Sequence, residues 1–467
     1  MTKYLLTILL LFPLVLKAQT DASFKPLLTH LDNAEKLKKN LKAGLLAELN
    51  DMSGDTLTLL RNGYERSIAS IYKAIEKEKF VWSDTLRLLV ERVHYKLLAS
   101  NGIRPLVPII LIANTPEANA ICLPSGAIII TIGLLGRITT EEQLAFVLAH
   151  ELKHHHLNHV RHRMYVQEKT KSAKKLQSTV KEVLNGGEPL EEIAALKELF
   201  YESAEFSRKK ELEADAGAVK LMESVQYNPQ GAIEVLNLLE LGLCSDSLSN
   251  DKLFEPLNTP KFPFQKAWIS RNFEPEERFN PFFFLSKDSL KSHPETVLRQ
   301  KEIGKLLQRT NGATSIDSVT RIARFQIVKS AYDEQYLDVA LYQALNLAYL
   351  YGMSDYLIEY IGKTLVLTAE LKQSPFTNSY FYKSTYGFCN SLQQTSNLLR
   401  TVDPQEIGEI LFHFMNQAKI FDPENELHYL LIWQACNLTP RVTTGDKIRT
   451  RYLQKFPNGQ YKKRMKS

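Results

Sequence analysis

The chain has 467 residues, with 58 Lys and Arg against 52 Asp and Glu and a formal net charge of +6. That balance is too weak to argue for nucleic acid, and 44% hydrophobic with 24% charged residues is ordinary globular composition, not that of a disordered or fibrous chain. The four cysteines, Cys122, Cys244, Cys389 and Cys436, are scattered with no Cys-x-x-Cys pair, which makes them poor zinc ligands.

Residues 1–18 read as a secretory signal peptide. Lys3 supplies the charge, Tyr4 to Leu16 the apolar core, and Leu16-Lys17-Ala18 a cleavage site before Gln19. The apolar run is interrupted by Pro13 and is short for a membrane span, so a retained anchor is the lesser alternative. The mature chain is then long enough for two domains with sizeable cores. In an exported protein a disulfide can form, and Cys389 with Cys436 is the expected pair because both fall in the C-terminal region.

Residues 27 to 100 read as mostly helical. Leu106 to Ile112 and Ala127 to Ile132 are short and Ile/Val-rich, the pattern of strands. A helix follows: Thr139 with Glu142 fits a capping box, and Leu144, Val147 and Leu148 have helical apolar spacing. That helix runs into His150-Glu151-Leu152-Lys153-His154. Residues four apart share a helix face, so His150 and His154 can offer two imidazoles to one metal, with Glu151 placed to reach a water on it. A zinc ion lowers the pKa of such a water to about 7, and the carboxylate can take its proton. A chance match is the plain alternative, but a buried face turning into His, Glu and His is costly unless something satisfies those groups.

A site of this kind needs a third protein ligand. His159 lies nine residues after His150 with no Gly between, so His155, His156 and His159 are expected to be solvated or to sit behind the ligands. A better candidate lies in Phe206-Ser207-Arg208-Lys209-Lys210-Glu211-Leu212-Glu213-Ala214-Asp215-Ala216-Gly217-Ala218. Glu211 and Asp215 are again four apart, with Arg208 on the same side, and the small residues let this helix pack close to another. A solvated Glu/Lys face is the competing reading.

The two motifs together resemble the gluzincin metallopeptidases of the HtpX, BepA and CAAX-prenyl-endopeptidase kind. The resemblance implies His150, His154 and Glu211 as ligands of one Zn²⁺, Glu151 as the catalytic carboxylate and Asp215 as the acid orienting a histidine ligand. Two further segments match, Asn119 to Thr131 as the strand before the motif helix and Ser292-His293-Pro294 with Arg299. The resemblance covers roughly residues 60 to 305. It implies an α+β, mostly helical fold: a zincin-type peptidase domain with a small β-sheet beside the motif helix, then a helical C-terminal domain.

Between the motifs, the basic stretch Arg161 to Lys175 and the turn Asn185 to Pro189 read as an inserted helical hairpin with a solvated face, docking on an anionic membrane being the alternative. Residues 255 to 284, rich in Pro and Phe, read as a loop covering the cleft, and His293 after it is expected near the active site as a catalytic or gating histidine. Arg299 reads as a structural ion-pair partner. From about residue 315 the chain is helical; Gln417 to Asn425 resembles a boundary between tetratricopeptide repeats, and a short helical repeat and a plain bundle both fit.

The expected organisation is a signal peptide over 1–18, a zinc peptidase domain over 19–310 and a helical domain over 311–467. The expected function is an exported zinc endopeptidase with Glu151 as general base. With no 18-residue apolar run after the signal, the resemblance is closest to the periplasmic branch, soluble or associated with the outer membrane. That branch implies unfolded or misassembled envelope proteins as substrates and a protein partner on the C-terminal helices. A zinc-containing chaperone or binding module is the competing class.

Overall fold

The computed structural model describes residues 24–32, 34–50, 52–99, 109–169, 209–240, 248–270, 296–307, 312–372 and 389–465. The signal segment, Arg208 and His293 lie outside them. Two N-terminal helices, α1 (Ala34–Ala47) and α2 (Gly54–Glu76), form because their apolar residues recur at helical spacing. On α2 the stripe is Leu60, Tyr64, Ile68, Ile71 and Ile75, all buried against Leu41 and Leu45 of α1. Helix α3 (Asp84–Ala99) presents Leu86, Val90, Val93 and Leu97 to a second core.

Among the described residues the sheet has three strands, β1 (Ile110–Ala113), β2 (Ala120–Cys122) and β3 (Ile128–Thr131), in the order β1-β3-β2. β1 runs parallel to β3 and β2 antiparallel to it. The segment matched to one strand, Asn119 to Thr131, is therefore a hairpin. Its turn is closed by Gly126 N–H on the Leu123 carbonyl at 2.9 Å, with Pro124 fixing the first corner and Gly126 at φ +82°. β3 passes into the single turn α4 (Ile132–Leu135), and α5 (Glu141–His156) and α6 (the helix described over 159–169) follow.

α5 is buried on nearly all sides, between α3, β2 and α8 (Gln230–Glu240), so it lacks the one-sided stripe of a surface helix. Its cap is one residue later than the sequence pattern suggests. Thr140 accepts the Gln143 N–H, and the Gln143 amide oxygen reaches back to Thr139 N–H at 2.7 Å. Glu142 instead accepts the Thr314 N–H at 2.8 Å.

α8 approaches α5 closely at Gly231. A Cβ there would stand 2.7 Å from the Glu142 carbonyl carbon and 2.9 Å from Gln143 N. Gly231→Ala must push the two backbones apart, and a loss of about 1–3 kcal/mol in the denaturant-unfolding free energy is the expected result.

His94, on α3, is buried with its pKa pulled down to about 4 by desolvation. The folded pKa lies below the ordinary histidine value of 6.5, so the unfolded chain takes up the proton first and stability is lost as pH falls from 6.5 towards 4. The loss grows by about 1.4 kcal/mol per unit, to at most about 3.5 kcal/mol. The stability gap between the parent and His94→Leu should therefore shrink, or change sign, between pH 7 and pH 4.5.

Next come α9 (Asn250–Leu253) and α10 (Thr296–Gly304), the latter packed on α8, and then, among the described residues, seven helices: α11 (Asp317–Asp333), α12 (Leu337–Tyr351), α13 (Asp355–Leu371), α14 (Asn390–Thr401), α15 (Pro404–Met415), α16 (Glu426–Asn437) and α17 (Val442–Lys455). Sequence neighbours pack on one another from α11 to α13 and from α15 to α17, as their continuous apolar content requires. Asp403 and Glu406 form a capping box at the start of α15, and Gln417 to Asn425 connects α15 to α16. α11 belongs to two cores. Ile316, just before it, and Val319, Ala323 and Ile327 join the sheet-side core, and Phe325, Val328 and Ala331 join the C-terminal one.

Two expectations are corrected here. Residues 255–270 do not cover the cleft: Phe254, Leu257 and Trp268 are buried in the C-terminal core, and the Phe262 ring stacks on His413 with centroids 5.5 Å apart. The remainder of that loop lies outside the described residues. Cys436 is a free buried thiol and Cys389 is disulfide-bonded, so the expected pair between them does not form.

Candidate metal centre

Helix spacing puts His150 and His154 on one face of α5, and α7 (the helix described over 209–224) lies across it. The close approach rests on small residues: Ala214 and Ala218 are fully buried, and a Cβ on Gly217 would stand 2.9 Å from Cδ of Lys153. Glu211 is thereby brought to both imidazoles. His150 Nε2 lies 3.0 Å from His154 Nε2, and the two nitrogens lie 3.3 Å from Oε2 and Oε1 of Glu211 respectively. All three side chains are buried, and this is the one such cluster of metal-binding type among the described residues.

These separations test whether the group fits. Ligands at 2.0–2.1 Å from a tetrahedral ion are about 3.3 Å from one another. The three donor atoms already stand near that spacing, and two imidazoles with one carboxylate suit zinc. The residues present therefore fit a single divalent metal.

Electrostatics point the same way. Burial alone would strip the proton from His150, but hydrogen bonds and charge from Asp215 and Glu211 outweigh it and hold the imidazole up at about 10. Burial and then the His150 charge bring His154 down to about 4. Two carboxylates thus concentrate a demand for positive charge at this point, which a divalent cation meets better than one proton.

Asp215 lies directly behind His150, with Oδ1 at 2.9 Å from Nδ1. Its two oxygens receive Nε and Nη2 of Arg299, both at 2.7 Å. Burial pushes the Asp215 carboxyl up, yet Arg299 and His150 together bring it down to about 2. Arg299, from α10, also stands 3.8 Å from Glu211, and so performs the ion-pair role expected of it.

Glu151, the next residue on α5 after His150, accepts the Cys122 N–H on Oε2 at 2.9 Å. Burial raises its pKa, against the opposing pull of His150 and that amide. Of the two places expected for His159, in solvent or behind the ligands, the structure gives the second: it is buried, with Nδ1 at 3.1 Å from His154 Nδ1. Asn158, at φ +57°, turns the chain back after α5, which places His159 there.

Comparison with known proteins agrees with this geometry. Mitochondrial metalloendopeptidase OMA1 of Arabidopsis thaliana is 28% identical over 150 residues, 32% of this chain and 28% of the relative. Metalloendopeptidase OMA1, mitochondrial, of Bos taurus is 35% identical over 80 residues, 16% of this chain and 15% of the relative. The chain thus spans less than a third of the length of either relative. The sequence model of Peptidase family M48 matches residues 88–307, the stretch that holds most of α3, the sheet, both motif helices and Arg299. Residues 88–307, just under half of the chain, are accordingly similar to the metallopeptidases of family M48.

Proposed function

We propose that the chain is an exported zinc endopeptidase, with His150, His154 and Glu211 holding the metal and Glu151 acting as general base. The observation that carries this reading is the tetrahedral spacing of three buried donors beside a carboxylate that none of them needs as a fourth ligand. When bound, zinc polarises a scissile carbonyl and acidifies water. Glu151 takes the proton of the attacking water and passes it to the leaving amine, a task worth about 10²–10⁴ in rate. Its Oε2 is held by Cys122 N–H, which leaves Oε1 for the proton, and its raised pKa makes it a stronger base than an exposed carboxylate.

β2 pairs with β3 alone among the described residues, and α5 packs against it. An extended polypeptide pairing with the outer edge of β2 would be aligned beside Glu151, which favours unfolded chains as substrates. Export is supported by the sequence of residues 1–18 and by the disulfide at Cys389, a bond that suits an oxidising compartment. Misassembled envelope proteins as substrates, action at the outer membrane and a partner on the C-terminal helices rest on the resemblance to the periplasmic branch. Contact with an anionic membrane through the stretch from Arg161 has less support, because Arg161 pairs with Glu48. His293 stays in the proposal as a group serving the site, since Arg299, six residues on, touches Asp215.

The test uses the purified mature chain. It should contain about one zinc per molecule and cut a reduced, unfolded protein. A chelator should abolish the cutting and added zinc restore it. Stoichiometric zinc with no cleavage of any unfolded protein would favour the chaperone class instead.

A further inference from the structure

The two histidines of the α5 site are each held from behind, His150 by Asp215 and His154 by His159. We infer that His159 and Glu213 form a second positioning chain, which fixes the imidazole of His154 for the metal. This inference rests on the zinc reading of His150, His154 and Glu211.

The geometry gives each nitrogen a task. His154 directs Nε2 at His150 and Glu211, the side where a metal is held. Its proton must then sit on Nδ1, which faces Nδ1 of His159 at 3.1 Å. His159 accepts there and so carries its own proton on Nε2, which lies 3.5 Å from Oε2 of Glu213. The rings meet nearly edge to face, with centroids 5.1 Å apart and planes at 68°. The result is a carboxylate–imidazole–imidazole chain ending at the metal side of His154, parallel in purpose to the guanidinium–carboxylate–imidazole chain of Arg299, Asp215 and His150.

The surroundings make this more than a surface contact. His159 is 6% exposed, so an unpaired ring there would carry a desolvation cost. Its placement also depends on one residue, Asn158 in the left-handed conformation, without which α5 would run on and carry residue 159 elsewhere. Glu211, Glu213 and Asp215 all come from α7, so one helix supplies the proposed ligand and an anchor for each ligand histidine. A partner holding the far nitrogen of a metal-bound histidine typically contributes 10–100-fold in metal affinity or activity.

The test measures metal binding by the full mature chain with Zn²⁺ against a competing chelator, and the visible absorption of the Co²⁺ form. Four variants are compared: His159→Phe, His159→Asn, Glu213→Gln and His154→Ala. Asn places an amide oxygen near the position of the His159 Nδ1 acceptor, so it keeps the bond that Phe removes. The expected results are a 10–100-fold fall in zinc affinity for His159→Phe with a shifted Co²⁺ band, and recovery of most of both in His159→Asn. Glu213→Gln, at a 53% exposed side chain, should fold normally and weaken binding several-fold. It provides the reading if His159→Phe does not fold. Parent-like affinity and spectrum in both His159→Phe and Glu213→Gln, while His154→Ala loses the metal, would overturn the positioning chain and leave the zinc site standing. A parent chain that binds neither metal would overturn both.

Discussion

Glu151→Gln should bind zinc as the parent does and lose peptide-bond cleavage by at least about 10²–10⁴-fold. The amide keeps the size of the carboxylate and still accepts the Cys122 N–H, so β2 and α5 stay in place. It cannot take a proton from water at neutral pH. Because Glu151 touches none of the three donors, zinc content measured by elemental analysis should be unchanged. Retained cleavage with retained zinc would remove Glu151 from the chemistry and send the search for a base elsewhere in the cleft.

Arg299→Met should be the most destabilising single change near the site. Arg299 and Asp215 are 7% and 2% exposed, and the guanidinium meets both carboxylate oxygens. Removing one partner of a buried pair leaves an uncompensated charge and costs about 3–5 kcal/mol. Here His150 also faces Asp215, which places the loss at the lower end of that range. The urea midpoint should fall accordingly, and metal affinity with it, since Asp215 would no longer be held behind His150. The double variant Arg299→Met with Asp215→Asn should be less destabilised than the two single effects added together, because the stranded charge is gone. Simple additivity would show that the two residues do not act as a pair.

How much of this was legible depended on whether the information was local. The motif helix could be read because Leu144, Val147 and Leu148 set its period and His150, Glu151 and His154 continue it. Four-residue spacing and the small residues beside them marked Glu211 and Asp215 as candidates, but a solvated Glu/Lys face fitted that pattern as well, and only the resemblance chose between the two. The cap slipped by one residue because Thr139 and Thr140 offer the same hydroxyl, and only the Gln143 amide decides between them. Residues 255–270 could not be placed because Phe262 and Trp268 announce that they will be buried, not against which core. The bond from Arg299 to Asp215 spans 84 positions, and no local pattern pairs residues at that range. For His159 the choice between solvent and a place behind the ligands could not be read, because its burial follows from a single positive φ at Asn158, a conformation that Asn permits but does not impose.

α11 has a consequence for any attempt to divide the chain. Beyond its apolar faces, Thr320 bonds the Ile138 carbonyl, Arg324 the Gly136 carbonyl and Gln326 the Asn114 amide, while Tyr356 of α13 donates to the Phe325 carbonyl. A fragment ending at residue 310 would include the whole metal centre and still lack Val319, Ala323 and Ile327, leaving the floor beneath α4 open to water. Such a fragment should be sticky and short-lived, and supplying 311–467 in trans should rescue it. The catalytic half would then be an enzyme whose lifetime is set by its neighbour, so that anything gripping the C-terminal helices also holds the peptidase together.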